Sequence, residues 1–233
     1  MSTRNLDTFH PWPIEGIRNR LLTGATLWEL CQSRTTTRKV DTREFSLEHL
    51  VRDVLIEALG EQHVMVRKQI GSTLGLPRVK FPTRARPDIV IAMDGKFHIC
   101  ELKSSRIGYS RFDCVFDSAS FREYLFKQGH EGTSPWEVEQ DLIKLRRFSE
   151  LTDTVGSCIF LMIDAYAGHG RSWSKVFSDI DVFTNTMRTN LVRQWGEELL
   201  ASTSIVPIRT AQAEATMIVC EVHSHANSKV RIA

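Results

Sequence analysis

The chain has 233 residues, 42% of them hydrophobic and 25% charged, with a formal net charge of +2. That suffices for one domain with a sizeable core, alone or with an appendage, and the total charge is too small to argue for a nucleic-acid partner. Five scattered cysteines without a CxxC, a charged and proline-bearing N-terminus, and no apolar run near the ~18 residues of a membrane span exclude a disulfide framework, a secretory signal and a spanning helix; they predict reduced thiols in a cytoplasm and no membrane partner.

In chain order, residues 1–13 read as irregular, with Pro11 and Pro13 flanking Trp12. Ile14, Ile17, Leu21, Leu22, Ala25 and Leu30 recur at helical spacing, interrupted by Gly24. A polar, basic stretch over 32–43 reads as a linker, so that 1–43 forms a helical extension to a main domain over 44–233. SLEHLVRDVLIEALG carries the clearest helix, with Ser46 as N-cap, a stripe at Leu47, Leu50, Val51, Val54, Leu55 and Ala58, and Gly60 as the stop. Strands are expected at 63–70 and 78–81, a short helix near FREYLFKQG, and a second good helix from Pro135 to Leu151. A buried strand follows over 157–166, a helix over much of 179–201, and strands at 203–208, 216–223 and 228–232. This order predicts a mixed α/β domain.

The stretch RPDIVIAMDGKFHICELKSS, residues 86–105, is the most informative. Asp94-Gly95 is a strong signal for a two-residue hairpin turn. With Met93 facing Lys96, outward counting pairs Ala92 with Phe97, Ile91 with His98, Val90 with Ile99, Ile89 with Cys100, and Asp88 with Glu101. Lys103 falls on the same face by the period of two. Facing residues bring their β-carbons to about 4.5–5.5 Å, where like charges repel, so two carboxylates there call for a cation. Lys103 supplies part of it. A divalent metal supplies more, since Mg²⁺ takes one or two carboxylates together with waters and a phosphate. The plainer alternative keeps Asp88 as a turn cap after Pro87 and Glu101 as a rim acid paired with Lys103 or Arg86; the apolar residues between them weigh against a solvated edge.

Pro87-Asp88 followed by Glu101-Leu102-Lys103 resembles the signature of the PD-(D/E)xK nuclease superfamily, which has the restriction-endonuclease-like fold. The resemblance spans roughly residues 44–166, and residues 170–233 form a C-terminal elaboration outside it. It implies a mixed central β-sheet flanked by helices. It also implies Asp88 and Glu101 as ligands of a catalytic Mg²⁺ that Mn²⁺ can replace, the Leu102 carbonyl as a further ligand, and Lys103 positioning the attacking water. The family often directs a glutamate from the preceding helix at the site; Glu48 is the candidate, with a first-turn acid favoured by the helix dipole as its alternative. Gln140 and Lys144, one turn apart on the second helix, resemble polar residues that some members aim at the site, and otherwise form a solvated face.

From Gln62 to Pro87 there is no acid, but Arg67, Lys68, Arg78, Lys80, Arg84 and Arg86 run directly into Asp88. Such a stretch suits phosphate contact, which supplies affinity without sequence choice; the alternative is an exposed strand edge kept soluble, and the run's position against the acid pair favours the former. Arg84 and Arg86, with Gln140 and Lys144, are the substrate-binding candidates. The histidines, including His169, His223 and His225, lack the spacing of a zinc site. The expected function is therefore Mg²⁺-dependent hydrolysis of phosphodiester bonds in DNA by an endonuclease, in a possible homodimer. The alternatives are a catalytically silent nuclease-like subunit that binds DNA or protein, and a small-molecule or RNA-directed hydrolase.

Overall fold

A computed structural model describes residues 9–23, 26–27, 42–75, 85–106, 135–167, 200–211 and 213–222. Helix α1 spans Ile14–Leu22 and α2 spans Thr42–Leu59; a 3-10 turn at Glu61–His63 leads into β1, Val64–Val66. The short helix α3, Ile70–Thr73, precedes the ribbon of β2, Ile89–Met93, and β3, Lys96–Arg106. Helix α4, Pro135–Ser149, then leads to β4, Val155–Ala167, and the described chain closes with β5, Leu200–Arg209, and β6, Ala213–Val222. The six strands form one sheet in the order β1-β2-β3-β4-β6-β5, with only the β3–β4 pair parallel.

The fold is mixed α/β, with helices on both faces of the sheet. On one face, Leu142, Leu145 and Phe148 of α4 pack on Val90, Ile99, Phe160, Met162 and Ile218. On the other, Ile14, Ile17 and Leu21 of α1 and Leu47, Val51 and Leu55 of α2 cover Ile89, Ile91, Cys100, Leu102, Ile159 and Leu161. The central strands are therefore apolar on both sides, as their composition requires. The N-terminal helix shares this second core.

Several boundaries differ from the sequence reading. Helix α2 begins one turn before Ser46, at Thr42, because neither Gly nor Pro interrupts Thr42 to Phe45. Its end at Gly60, with φ of 92°, is as expected. Helix α1 stops at Leu22, and the strand expected over 63–70 shortens to three residues. There the backbone of Arg67 turns left-handed, with φ of 49°, and its N–H goes to the Asp88 carbonyl at 2.9 Å. Residues 200–201 open β5 instead of closing a helix. The expected strands at 78–81 and 228–232, the helix near 121–129, and 179–199 lie outside the described residues.

A latch ties the N-terminal segment to the sheet. Ser157 donates its backbone N–H to His98 Nδ1 at 3.0 Å, which leaves the neutral ring's proton on Nε2. Ser157 Oγ lies 3.0 Å from the same nitrogen and accepts the Trp12 indole N–H at 2.9 Å. Burial, helped by His10 and Lys96, drives the His98 pKa down from 6.5 to about 4. The unfolded chain thus takes up this proton first, so the stability tied to the neutral ring is complete above pH 6.5 and is lost as pH falls from there through about 4. In urea unfolding series, the stability gap between wild type and His98→Gln should shrink across that window; a gap independent of pH contradicts the latch.

Candidate active site

The site forms where β3 outruns β2. The register between them is Ile89↔Cys100, Val90↔Ile99, Ile91↔His98, Ala92↔Phe97 and Met93↔Lys96, with Asp94 at φ 53° and Gly95 at φ 71° in the turn. Two consecutive left-handed residues make a primed turn, whose twist matches that of the strands and fixes the register. Strand β2 begins at Ile89, just after Pro87, which has no N–H to give a ladder. Strand β3 continues to Arg106, paired there with β4. The Leu102 N–H lies beyond the last β2 pair, and Asp88 Oδ2 accepts it at 2.8 Å. An acid at this strand start therefore completes the ladder with its side chain.

Glu101 lies one residue beyond Cys100, the last paired residue of β3 on this side, as Asp88 lies one residue before Ile89, the partner of Cys100. Glu101 is 3% exposed; its Oε2 accepts Lys144 Nζ at 2.8 Å, while its buried Oε1 has no hydrogen-bond partner among the described residues. Helix α4 brings the remaining groups. Its stripe of Leu142, Leu145 and Phe148 docks on the sheet, and Asp141 and Lys144 flank that stripe three residues apart, on neighbouring positions of the helix surface. Asp141, 8% exposed, holds Lys144 Nζ at 2.9 Å through Oδ1 and lies 3.3 Å from Lys103 Nζ through Oδ2. Three carboxylates and two ammonium groups thus share one buried edge of the sheet.

Burial raises the Asp88 carboxyl above its ordinary range, only partly offset by the Leu102 N–H and by Lys103. Burial raises Glu101 well above its range; Lys144 opposes this, while Asp88 and Asp141 add to it. Lys144 is also raised: burial works against its charge, but Glu101 and Asp141 outweigh it. Both partners of one ion pair move upward because burial dominates for Glu101, whereas the surplus of carboxylate over ammonium charge dominates for Lys144. Such a site is short of positive charge.

Among the described residues no group of three or more His, Cys, Asp and Glu side chains is disposed as a metal cage. A hard divalent ion needs less, since Mg²⁺ is held by one or two carboxylates with waters and substrate oxygens completing its shell. Asp88 and Glu101 fit that demand, as the unpartnered Oε1 of Glu101 is a buried acceptor with no donor. Leu102, expected to add its carbonyl, is tied to Asp88 through its N–H.

The other expected residues are placed differently. Glu48 is buried on α2, in the layer opposite α4, and its Oε2 accepts Arg67 Nε at 2.6 Å. Through the Arg67 N–H on the Asp88 carbonyl it connects to the edge of the site. Arg86 is exposed two residues before Asp88. Arg84, Arg78 and Lys80 lie outside the described residues, as do His169, His223 and His225; Gln140 lies on α4, with its side chain outside what is described. Lys144, expected to contact substrate, is bonded to Glu101 and Asp141. Asp141 was not foreseen. Its signal was present: an acid three residues before Lys144, on the turn whose next apolar positions, Leu142 and Leu145, face the sheet.

Among the described residues no helix is long and apolar enough to cross a membrane. No protein-family model matches the chain, and no curated protein matches it.

Proposed function

We propose that this chain is a metal-dependent endonuclease of the PD-(D/E)xK type, hydrolysing phosphodiester bonds in DNA within a cytoplasm. The observation that carries this reading is the buried oxygen of Glu101 without a hydrogen-bond partner among the described residues, one place beyond the last β2–β3 pair, where Asp88 Oδ2 takes the Leu102 N–H and Lys103 follows two residues on along β3. The order of α2, the β2–β3 hairpin, α4 and β4 agrees with the resemblance in the sequence, and the described cysteines Cys100, Cys158 and Cys220 are free thiols.

Asp88 and Glu101, with the Leu102 carbonyl, would hold Mg²⁺ or Mn²⁺, which supplies Lewis-acid polarisation of a phosphate oxygen and acidifies water. The chain's own groups do the rest. Lys103, beside the Asp141 carboxylate, presents an ammonium group to the phosphate and its attacking water. Asp141 orients both amines. Water attacks phosphorus, the P–O bond to one nucleoside breaks, and no protein nucleophile takes part. Arg86, with Arg84, would contact neighbouring phosphates, and cutting both strands would call for two copies of the chain.

The test is incubation of supercoiled plasmid with the purified chain and Mg²⁺ or Mn²⁺. Nicking or linearisation that chelation abolishes and that Asp88→Asn loses supports the enzyme. Plasmid retained but intact under every condition replaces it with a binding subunit.

A further inference from the structure

We infer that Lys144 is a built-in counter-ion for Glu101, which a divalent cation must displace to enter. The inference rests on the metal-site reading above and concerns how that site loads. Lys144 Nζ lies 2.8 Å from Glu101 Oε2 and 2.9 Å from Asp141 Oδ1, so its ammonium bridges two carboxylates of different elements. It can give up Glu101 and remain charged and paired on Asp141, its neighbour on the same helix. The other oxygen of Glu101 is already unpartnered, so the carboxylate has one acceptor ready and one to be exchanged.

The charge balance gives the exchange a consequence. Asp88, Glu101 and Asp141 oppose Lys103 and Lys144, so the cluster carries one formal negative charge and repels a phosphodiester. One divalent ion turns this into one formal positive charge. Lys144, released from Glu101, then faces the same edge as a cation available to the incoming phosphate. Metal alone pays for displacing the ammonium; metal together with a polyanion recovers it, so the two bind cooperatively.

Mn²⁺ titrated calorimetrically into the full chain tests this. Lys144→Gln keeps an amide donor between the two carboxylates but removes the charge, and should tighten Mn²⁺ binding by about tenfold or more. Lys144→Arg, which keeps the charge, should retain the wild-type affinity. Equal affinity of wild type and Lys144→Gln, with binding lost in Asp88→Asn, overturns the exchange and leaves the metal site standing. No binding by wild type or Lys144→Gln overturns both. Should Lys144→Gln fail to melt cooperatively, the wild type decides. Saturating Mg²⁺ should shift and sharpen the Lys144 ε-methylene NMR signal, assigned through Lys144→Arg; an unmoved signal overturns the exchange.

Discussion

Glu101→Gln is expected to cut the proposed metal-dependent cleavage by about 10³-fold or more, since it removes one of two anionic ligands and with it several kcal/mol of charge stabilisation. The same change is expected to raise the stability of the metal-free fold by about 1 kcal/mol, because it removes the carboxylate in excess of the two ammonium groups while Lys144 keeps its partner Asp141. For a chain of this size that is a rise in Tm of about 2–4 °C. The pairing of the two effects is what makes the prediction specific. A residue that only maintains the fold loses activity and stability together. A residue whose charge is kept for chemistry loses activity and gains stability, since Glu101 stands raised by burial and carries an unpartnered oxygen. Parallel plasmid cleavage and thermal melts, in chelator and in Mg²⁺, read both. A fall in Tm together with retained cleavage contradicts the assignment.

Phe148→Ala is expected to cost about 3–5 kcal/mol in urea unfolding, in the range of large-to-small changes at full burial. Phe148 is fully buried between α4 and the sheet, in the cluster with Leu142, Leu145, Val155 and Cys158. It lies one turn beyond Lys144 on the helix that also carries Asp141, so the cavity loosens the element that delivers both groups to the site. Cleavage should therefore fall in Phe148→Ala even at temperatures where the variant remains folded. Phe148→Leu, which leaves a smaller void, should recover most of both. A variant with wild-type unfolding would show that α4 is not held by this stripe.

What the sequence made legible is what depends on local chemistry. The Asp94-Gly95 turn sets the hairpin register because few residues accept two successive positive φ values, and the pairing from Met93↔Lys96 to Ile89↔Cys100 follows from that turn alone. Gly60 ends α2 for a similar reason. The remainder was hidden wherever a partner comes from far along the chain. Trp12 and Ser157, 145 residues apart, meet only when the N-terminal segment docks on the sheet. The helical spacing places Asp141 beside Lys144, but its reach to Lys103 comes only with the seating of α4 on the sheet. Strand β1 reads longer in sequence than it is, since its end is set by the Arg67 N–H turning to the Asp88 carbonyl. Glu48 was expected at the site because of its helix; its partner, Arg67, is a residue whose left-handed backbone the sequence does not signal.

The central claim is that Asp88 and Glu101 share one divalent cation. A crystal of the chain soaked in Mn²⁺, with an anomalous difference map, tests it most directly. The account predicts a single strong peak within coordinating distance, about 2.0–2.4 Å, of an Asp88 oxygen and of Glu101 Oε1, with Lys144 drawn away from Glu101. A map with Lys144 still seated on Glu101 and manganese elsewhere, or none bound, contradicts it.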